Sequence, residues 1–183
     1  MTFTETALKG AWIIDLQRID DERGFFARSF CQDEFTARGL KTAVAQCNVS
    51  FNLKRGTLRG MHFQLSPKAE AKLVRCTRGA IYDVIIDLRP ESATYCQWRA
   101  VELTADNRRA LYIPEGFAHG FQTLADDSEL FYQMFEFFAP ECAAGVRWDD
   151  PAFGIDWPLP DPIMSEKDRG YAPFLKNGRG VWS

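Results

Sequence analysis

The chain has 183 residues, of which 46% are hydrophobic and 14% aromatic, enough to bury a core without disulfide or metal staples and too apolar for disorder. A formal net charge of −3 argues against a broad nucleic-acid surface, and no stretch approaches the roughly 20 apolar residues of a membrane helix. The five cysteines are odd in number and widely spaced with no C-x-x-C pair, so they read as free thiols; residues 1–6 lack the basic and apolar regions of a signal peptide, and the expected location is the cytoplasm.

In chain order, residues 11–16 (Ala-Trp-Ile-Ile-Asp-Leu) have the composition of a first strand. Asp20-Asp21-Glu22-Arg23-Gly24 reads as a turn before the aromatic pair Phe25-Phe26. A short helix is predicted over 32–38, with Asp33 near its start and Gly39 past its end. Residues 43–51 read as a strand closed by a turn at Lys54-Arg55-Gly56. Residues 73–76 and 81–88 are joined by Thr77-Arg78-Gly79, a hairpin-length connection. Within the second run Ala80, Tyr82, Val84, Ile86 and Leu88 alternate with Ile81, Asp83, Ile85 and Asp87. Residues 98–103 and 110–113 flank a turn at Asp106-Asn107, and 129–138 reads as a long aromatic final strand. Many short strands with regular turns predict an all-β sandwich or barrel, in one domain over 1–183. Residues 148–173 are rich in proline and include Trp148 and Trp157, too apolar for a free linker, so this tail is expected to pack on the barrel. Its Ser165-Glu166-Lys167-Asp168 has the spacing of a capping box.

Two phrases carry most of the polar chemistry. Gly56-Thr57-Leu58-Arg59-Gly60-Met61-His62-Phe63-Gln64 places a guanidinium, an imidazole and an amide within six positions, and Lys72 follows on the next apolar run. The other histidine, His119, lies in Ile113-Pro114-Glu115-Gly116-Phe117-Ala118-His119-Gly120-Phe121. The two phrases are expected to face each other across one cavity. On an unbroken strand His62 and Gln64 share a face while Arg59 points away. Arg59 and His62 therefore reach one cavity only if the strand bends or bulges, and Gly60 is the place for it. By the same parity Tyr132 and Phe138 share a face of the final strand.

The phrase Pro114-x-Gly-x-x-His119 resembles the second motif of the cupin superfamily of jelly-roll barrels. The corresponding first motif is represented by His62-Phe63-Gln64 and Glu70. His62, His119 and Glu70 would make a two-histidine, one-carboxylate metal site, the basis of an alternative reading as a metal-dependent cupin oxygenase. Gln64 replaces the second histidine of the usual pair, so the favoured reading has no metal and no cofactor. A non-catalytic carbohydrate-binding jelly roll is the third class.

Further phrases narrow the resemblance: Asp21-Glu22-Arg23-Gly24-Phe25-Phe26, Gln46-Cys47-Asn48-Val49-Ser50, Ala71-Lys72-Leu73-Val74-Arg75, Asp83 to Arg89, Trp148-Asp149-Asp150-Pro151 and Ser165-Glu166-Lys167-Asp168. With the two phrases above, in this order and at this spacing, they are similar to the dTDP-4-dehydrorhamnose 3,5-epimerase family from about residue 10 to 174. The resemblance implies a jelly-roll homodimer that uses no metal. It implies epimerisation at C3 and C5 of a nucleoside-diphosphate 4-keto-6-deoxyhexose by proton removal and return from the opposite face. It also implies roles: His62 as base, Asp168 orienting it, Lys72 at the enolate oxygen and Tyr132 as the opposing acid. Arg23, Arg59 and Lys167 match cations that hold the diphosphate and sugar. Gln46, Asn48 and His119 match polar contacts, and Phe26 an aromatic against the base. Residues of both subunits are expected at one site. The chain departs from the family pattern at Arg28 and Ala143, which stand where glutamates are common, and at Phe138, which replaces a tyrosine. These leave a single-centre epimerase on a dTDP- or CDP-linked 4-keto sugar as the alternative.

Overall fold

Period-two alternation sorts the side chains of each strand onto two faces, and both faces of the two main sheets find apolar cover. The computed structural model describes residues 1–175; positions 176–183 of the expected 1–183 domain lie outside the described residues. The first elements are β1 (Thr2–Glu5), β2 (Trp12–Asp15), β3 (Arg18–Asp21), β4 (Gly24–Ala27), α1 (Gln32–Thr36) and β5 (Gln46–Asn52). Then come β6 (Leu58–Gln64), β7 (Lys72–Arg78), β8 (Ala80–Asp87), β9 (Trp98–Thr104), β10 (Ala110–Ile113), β11 (Phe117–Thr123) and β12 (Ser128–Met134). β13 (Ala143–Gly145) and α2 (Glu166–Arg169) complete the order. One sheet runs β1-β2-β10-β7-β12-β5, the other β13-β6-β11-β8-β9, and β3-β4 form a separate hairpin. This is the antiparallel two-sheet jelly roll that the resemblance implies.

The inner core draws Val74, Leu111, Ile113 and Leu130 from the first sheet and Ile81, Ile85, Val101, Phe117 and Phe121 from the second. The outer face of the six-stranded sheet is covered by the N-terminal region, with Phe35 of α1 packed among Ile14, Leu73, Ala110 and Tyr112. Burying a side chain such as Phe35 contributes roughly 1.5–3 kcal/mol. The outer face of the five-stranded sheet, including Met61, Val84 and Ile86, is covered by Phe153, Trp157 and Phe174 of the proline-rich tail. The tail therefore packs as expected. It is also stitched on by hydrogen bonds from Leu58 N to Ile163 O and from Ile163 N to Gly56 O, each 2.9 Å. Gln122 adds a pair, donating to Leu159 O at 2.9 Å and accepting from Leu159 N at 3.0 Å.

Several sequence-based expectations change. The strand expected first is the second, because β1 precedes it; its polar Thr2-Phe3-Thr4-Glu5 is held by pairing with β2 and by Phe3, whose ring lies 5.3 Å from that of Phe35. The Thr77-Arg78-Gly79 connection is not a hairpin. β7 pairs with β10 and β12, whereas β8 pairs with β11 and β9, so this turn carries the chain from one sheet to the other. Gly79 turns that corner at φ +74°, with Ser128 packed where a Cβ would stand. The helix stops at Thr36, and the strand predicted over 43–51 begins at Gln46. The strand predicted over 129–138 ends at Met134, after which Phe135 is buried with the outer cluster and the Glu136 carboxylate accepts from Phe137 N at 2.8 Å.

Candidate active site

At one end of the sandwich the inward positions become polar and enclose a cavity of about 510 Å³, a size suited to a small-molecule ligand. One wall comes from β6 and β11 and carries Arg59, His62 and His119. The opposing wall carries Gln46, Asn48 and Ser50 of β5, Lys72 of β7 and Tyr132 of β12. The two histidine phrases thus do not face each other. They lie side by side, with His62 and His119 as register partners on hydrogen-bonded strands of the same sheet.

The kink expected at Gly60 is present. Along β6–β11, Arg59 stands opposite Phe121 and His62 opposite His119, so three steps on β6 match two on β11. That extra residue brings both Arg59 and His62 to the cavity. Gly60 has φ +125°, and a Cβ there would fall 2.6 Å from Gly120 Cα and 2.9 Å from His119 O. Glycine is required by both conformation and space.

His62 Nε2 lies 2.7 Å from Asp168 Oδ1, and the other carboxylate oxygen accepts from Gly60 N at 3.2 Å. Asp168 is delivered by α2, whose N-cap Ser165 Oγ accepts from Asp168 N at 3.1 Å. The backbone of Asp168 therefore serves the cap while its side chain serves His62. Burial alone would raise the Asp168 carboxyl, but the hydrogen bond and charge of His62, with the Gly60 amide and Lys167, bring it below its ordinary value. An ionised Asp168 accepts from Nε2–H in either state of the ring, so in the neutral imidazole Nε2 carries the proton and Nδ1 keeps a free lone pair for base chemistry.

Lys72 Nζ donates to Glu70 Oε1 at 2.7 Å, and both side chains are buried. Tyr132 packs against the inner core; burial first, and the Asp83 charge second, push its phenol well above its ordinary value, while Arg59 works in the opposite sense. Arg59 is braced by Nε donating to Asn52 Oδ1 at 2.7 Å. Phe138 lies beyond the end of β12 and so does not share a strand with Tyr132. It reaches the cavity rim because its amide donates to Gln46 Oε1 at 3.1 Å. Lys167 and Ala143 also line the cavity. Three cations, Arg59, Lys72 and Lys167, stand against one carboxylate, Glu70, which favours an anionic ligand in an otherwise acidic protein.

Arg23, Phe26 and Arg28 do not line this chain's cavity. The hairpin that carries Arg23 and Phe26 pairs with neither main sheet. Arg23 is turned onto Asp21 at 2.6 Å, Phe26 is 72% exposed, and Arg28 lies 3.6 Å from Glu34 of α1. The metal set also fails to converge. His62 is engaged by Asp168, His119 by Asp83 at 2.7 Å, and Glu70 by Lys72. Among the described residues no three His, Cys, Asp or Glu side chains are grouped to hold a metal ion.

Sequence reasoning missed three contributors. Tyr171 sets its ring edge-on to His62 at 6.2 Å and lines the cavity, in space that a side chain on Gly145 would fill. Its signal was its place three residues after Asp168. Asn52 was hidden at the end of a strand. Asp83 was marked by an acidic residue between Ile81 and Ile85 on the inward face of β8.

The family model described as dTDP-4-dehydrorhamnose 3,5-epimerase matches residues 5–176. The epimerase of that name from Methanothermobacter thermautotrophicus is 47% identical over 178 residues, covering 96% of this chain and 95% of the relative. The crystal structure of the Bacillus anthracis dTDP-4-dehydrorhamnose 3,5-epimerase, with TDP and PPi bound, superposes with a TM-score of 0.91 at 41% identity, covering 94% of this chain and 99% of that one. A 3'-monoepimerase from Streptomyces bikiniensis, in complex with dTDP-quinovose, superposes at 0.85 with 32% identity over 92% of this chain and 86% of its own. With cavity, motifs and near full-length similarity in agreement, the chain belongs to the dTDP-4-dehydrorhamnose 3,5-epimerase family.

Proposed function

We propose that this chain converts dTDP-4-dehydro-6-deoxy-D-glucose to dTDP-4-dehydro-L-rhamnose by inverting C3 and C5, without a metal or cofactor. The observation that carries the reading is the carboxylate-backed His62 on one wall of the cavity, Tyr132 on the other and the Lys72 ammonium beside them. The C4 ketone acidifies the hydrogens at C3 and C5. His62 removes one as a proton, the electron pair moves to the ketone oxygen as an enolate, and Lys72 stabilises that charge. Tyr132 then protonates the same carbon from the opposite face, which inverts it. Asp168 holds His62 in the required tautomer and stabilises its charged form.

Arg59 and Lys167 hold the diphosphate and sugar, while Gln46, Asn48 and His119 position the hexose. Arg23 and Phe26 act in the cavity of a second copy, Phe26 against the nucleobase of the substrate. Support for such a homodimer comes from their projection on a separate hairpin and from the exposed apolar side chains Ile19, Phe26, Val49, Phe51 and Leu53. Residues 1–183 work as one epimerase unit, and the expected site of action is the cytoplasm; no helix among the described residues is long and apolar enough to cross a membrane.

Phe138 in place of a tyrosine, and a 3'-monoepimerase among the similar structures, give the single-centre alternative its footing. Arg28 and Ala143 bear on the nucleotide. Incubation with the dTDP- and CDP-linked 4-keto sugars, followed by borohydride trapping and NMR of the hexose, decides both. Inversion at C3 and C5 of the dTDP sugar supports the proposal. Inversion at one centre, or of the CDP sugar alone, supports the alternative, and no inversion of either overturns the epimerase reading.

A further inference from the structure

Two aspartates on the inward face of β8, Asp83 and Asp87, are fully buried. Asp87 is saturated with donors: Arg89 N, Nε and Nη2 at 3.0, 2.9 and 2.7 Å, Ser92 Oγ at 2.6 Å and Thr94 Oγ1 at 2.7 Å. It ties down the loop after β8. Asp83 is different. It sits in the inner core between Ile81 and Ile85, takes His119 Nε2 on Oδ1 at 2.7 Å, and buries Oδ2 with no hydrogen-bond partner among the described residues. A buried carboxylate oxygen without a donor destabilises a fold, so its presence calls for a reason other than packing.

Its surroundings supply one. His119 sets its ring edge-on to Tyr132, with centroids 6.1 Å apart, and both line the cavity. The geometry repeats that of His62 and Asp168, imidazole Nε2 on a carboxylate at 2.7 Å, on the neighbouring strand of the same sheet. We propose that Asp83 is a positioning residue for the reaction: its carboxylate fixes the His119 imidazole with Nε2–H directed inward and sets that ring against Tyr132, holding the phenol as the proton donor on the face opposite His62. The inference rests on the epimerase reading given above.

Besides its own shielding, Tyr132 is faced by Asp83 of β8, His119 of β11, Arg59 of β6 and Cys76 of β7. The Asp83 charge disfavours the phenolate, and Arg59 opposes it. Burial pushes the Cys76 thiol up to about 11, so near neutral pH it adds no charge. Removing the Asp83 charge leaves burial alone to oppose Arg59 near neutral pH and lets Tyr132 ionise at lower pH than in the wild type.

The test is Asp83→Asn, a near-isosteric change, in the full chain with the dTDP-linked 4-keto sugar. The expected result is a kcat lower by about 10- to 100-fold with KM changed by less than about threefold, as for loss of a charged hydrogen bond beside the reacting centre. The alkaline limb of kcat moves to lower pH, a shift that a purely structural role would not produce. Adding Asp83→Asn to His119→Asn costs less than about twofold more, because the two act through one contact. A kcat within twofold of wild type, an unmoved alkaline limb, or fully additive losses overturns the proposal. Should the variants not fold, ¹⁵N NMR of the ligand-free wild type decides: the Nε2–H tautomer of His119 is expected, and Nδ1–H overturns it. A wild type without turnover fails the epimerase reading instead, which separates the two.

Discussion

His62 and Asp168 are separated by 106 residues in the chain and by 2.7 Å in space. The tail that brings them together is pinned at Ile163, capped at Ser165 and packed over the outer sheet face, so the imidazole is backed by a carboxylate whose own position is over-determined.

Asp168→Asn keeps the cap and the Gly60 contact but removes the charge behind His62. The expected loss in kcat is about 10²- to 10⁴-fold, with the fold retained, measured by steady-state turnover and circular dichroism. The sign of the pH effect follows from a folded-state carboxyl held below 3.8. Asp168 contributes stability above that ordinary value, and the contribution is lost as pH falls through the lower folded value. The stability gap between wild type and variant is therefore expected at neutral pH and closes in acid below 3.8.

Gly60→Ala places a Cβ against Gly120 Cα and His119 O at a positive φ. A destabilisation of about 2 kcal/mol or more is expected from strain and overlap. Activity falls as well, because Arg59 and His62 share the cavity only through this bulge. Denaturant titration and turnover measure the two effects.

Asp87 shows the structural use of a buried carboxylate. Burial raises it, but Arg89, Ser92 and Thr94 together bring it below its ordinary value. Arg89→Met leaves that fully buried carboxylate short of its charged partner, with an expected cost of roughly 3 kcal/mol in denaturant titration. KM and kcat at permissive temperature stay near wild type, since Asp87 and Arg89 do not line the cavity.

If the β3–β4 hairpin serves a second copy's cavity, two inactive variants complement each other. Arg23→Ala and His62→Ala, unfolded together and refolded as a mixture, are expected to recover about a quarter of wild-type sites, because each heterodimer has one intact site. Recovery of nothing would place Arg23 in its own subunit's site or outside the reaction.

Much of this site is legible in the sequence because strand parity leaves few choices. Arg59 and His62 conflict in parity, and only a glycine lay between them at which to resolve it; the bulge at Gly60 follows. Sheet membership was less legible. Thr77-Arg78-Gly79 has the length of a hairpin turn, and nothing local distinguishes a return beside β7 from a crossing to the opposite sheet. The termination at Met134 was masked by the aromatic run that follows, whose members turn to different surroundings. Arg23 and Phe26 match the family phrases and Arg28 stands where a glutamate is common, yet the place of all three relative to the cavity is a property of how the hairpin and the turn after it project, which local pattern does not encode. Asp83 stood in plain view as an acid among isoleucines, and its partner lies on another strand.

The central claim is that His62 removes a proton and Tyr132 returns one from the opposite side. Turnover of the dTDP-linked 4-keto sugar in D₂O, with deuterium located by NMR, tests it in wild type, His62→Ala and Tyr132→Phe. The account predicts deuterium and inversion at C3 and C5 in wild type, neither in His62→Ala, and exchange without inversion in Tyr132→Phe. Wild-type exchange in His62→Ala, or undiminished inversion in Tyr132→Phe, would contradict it.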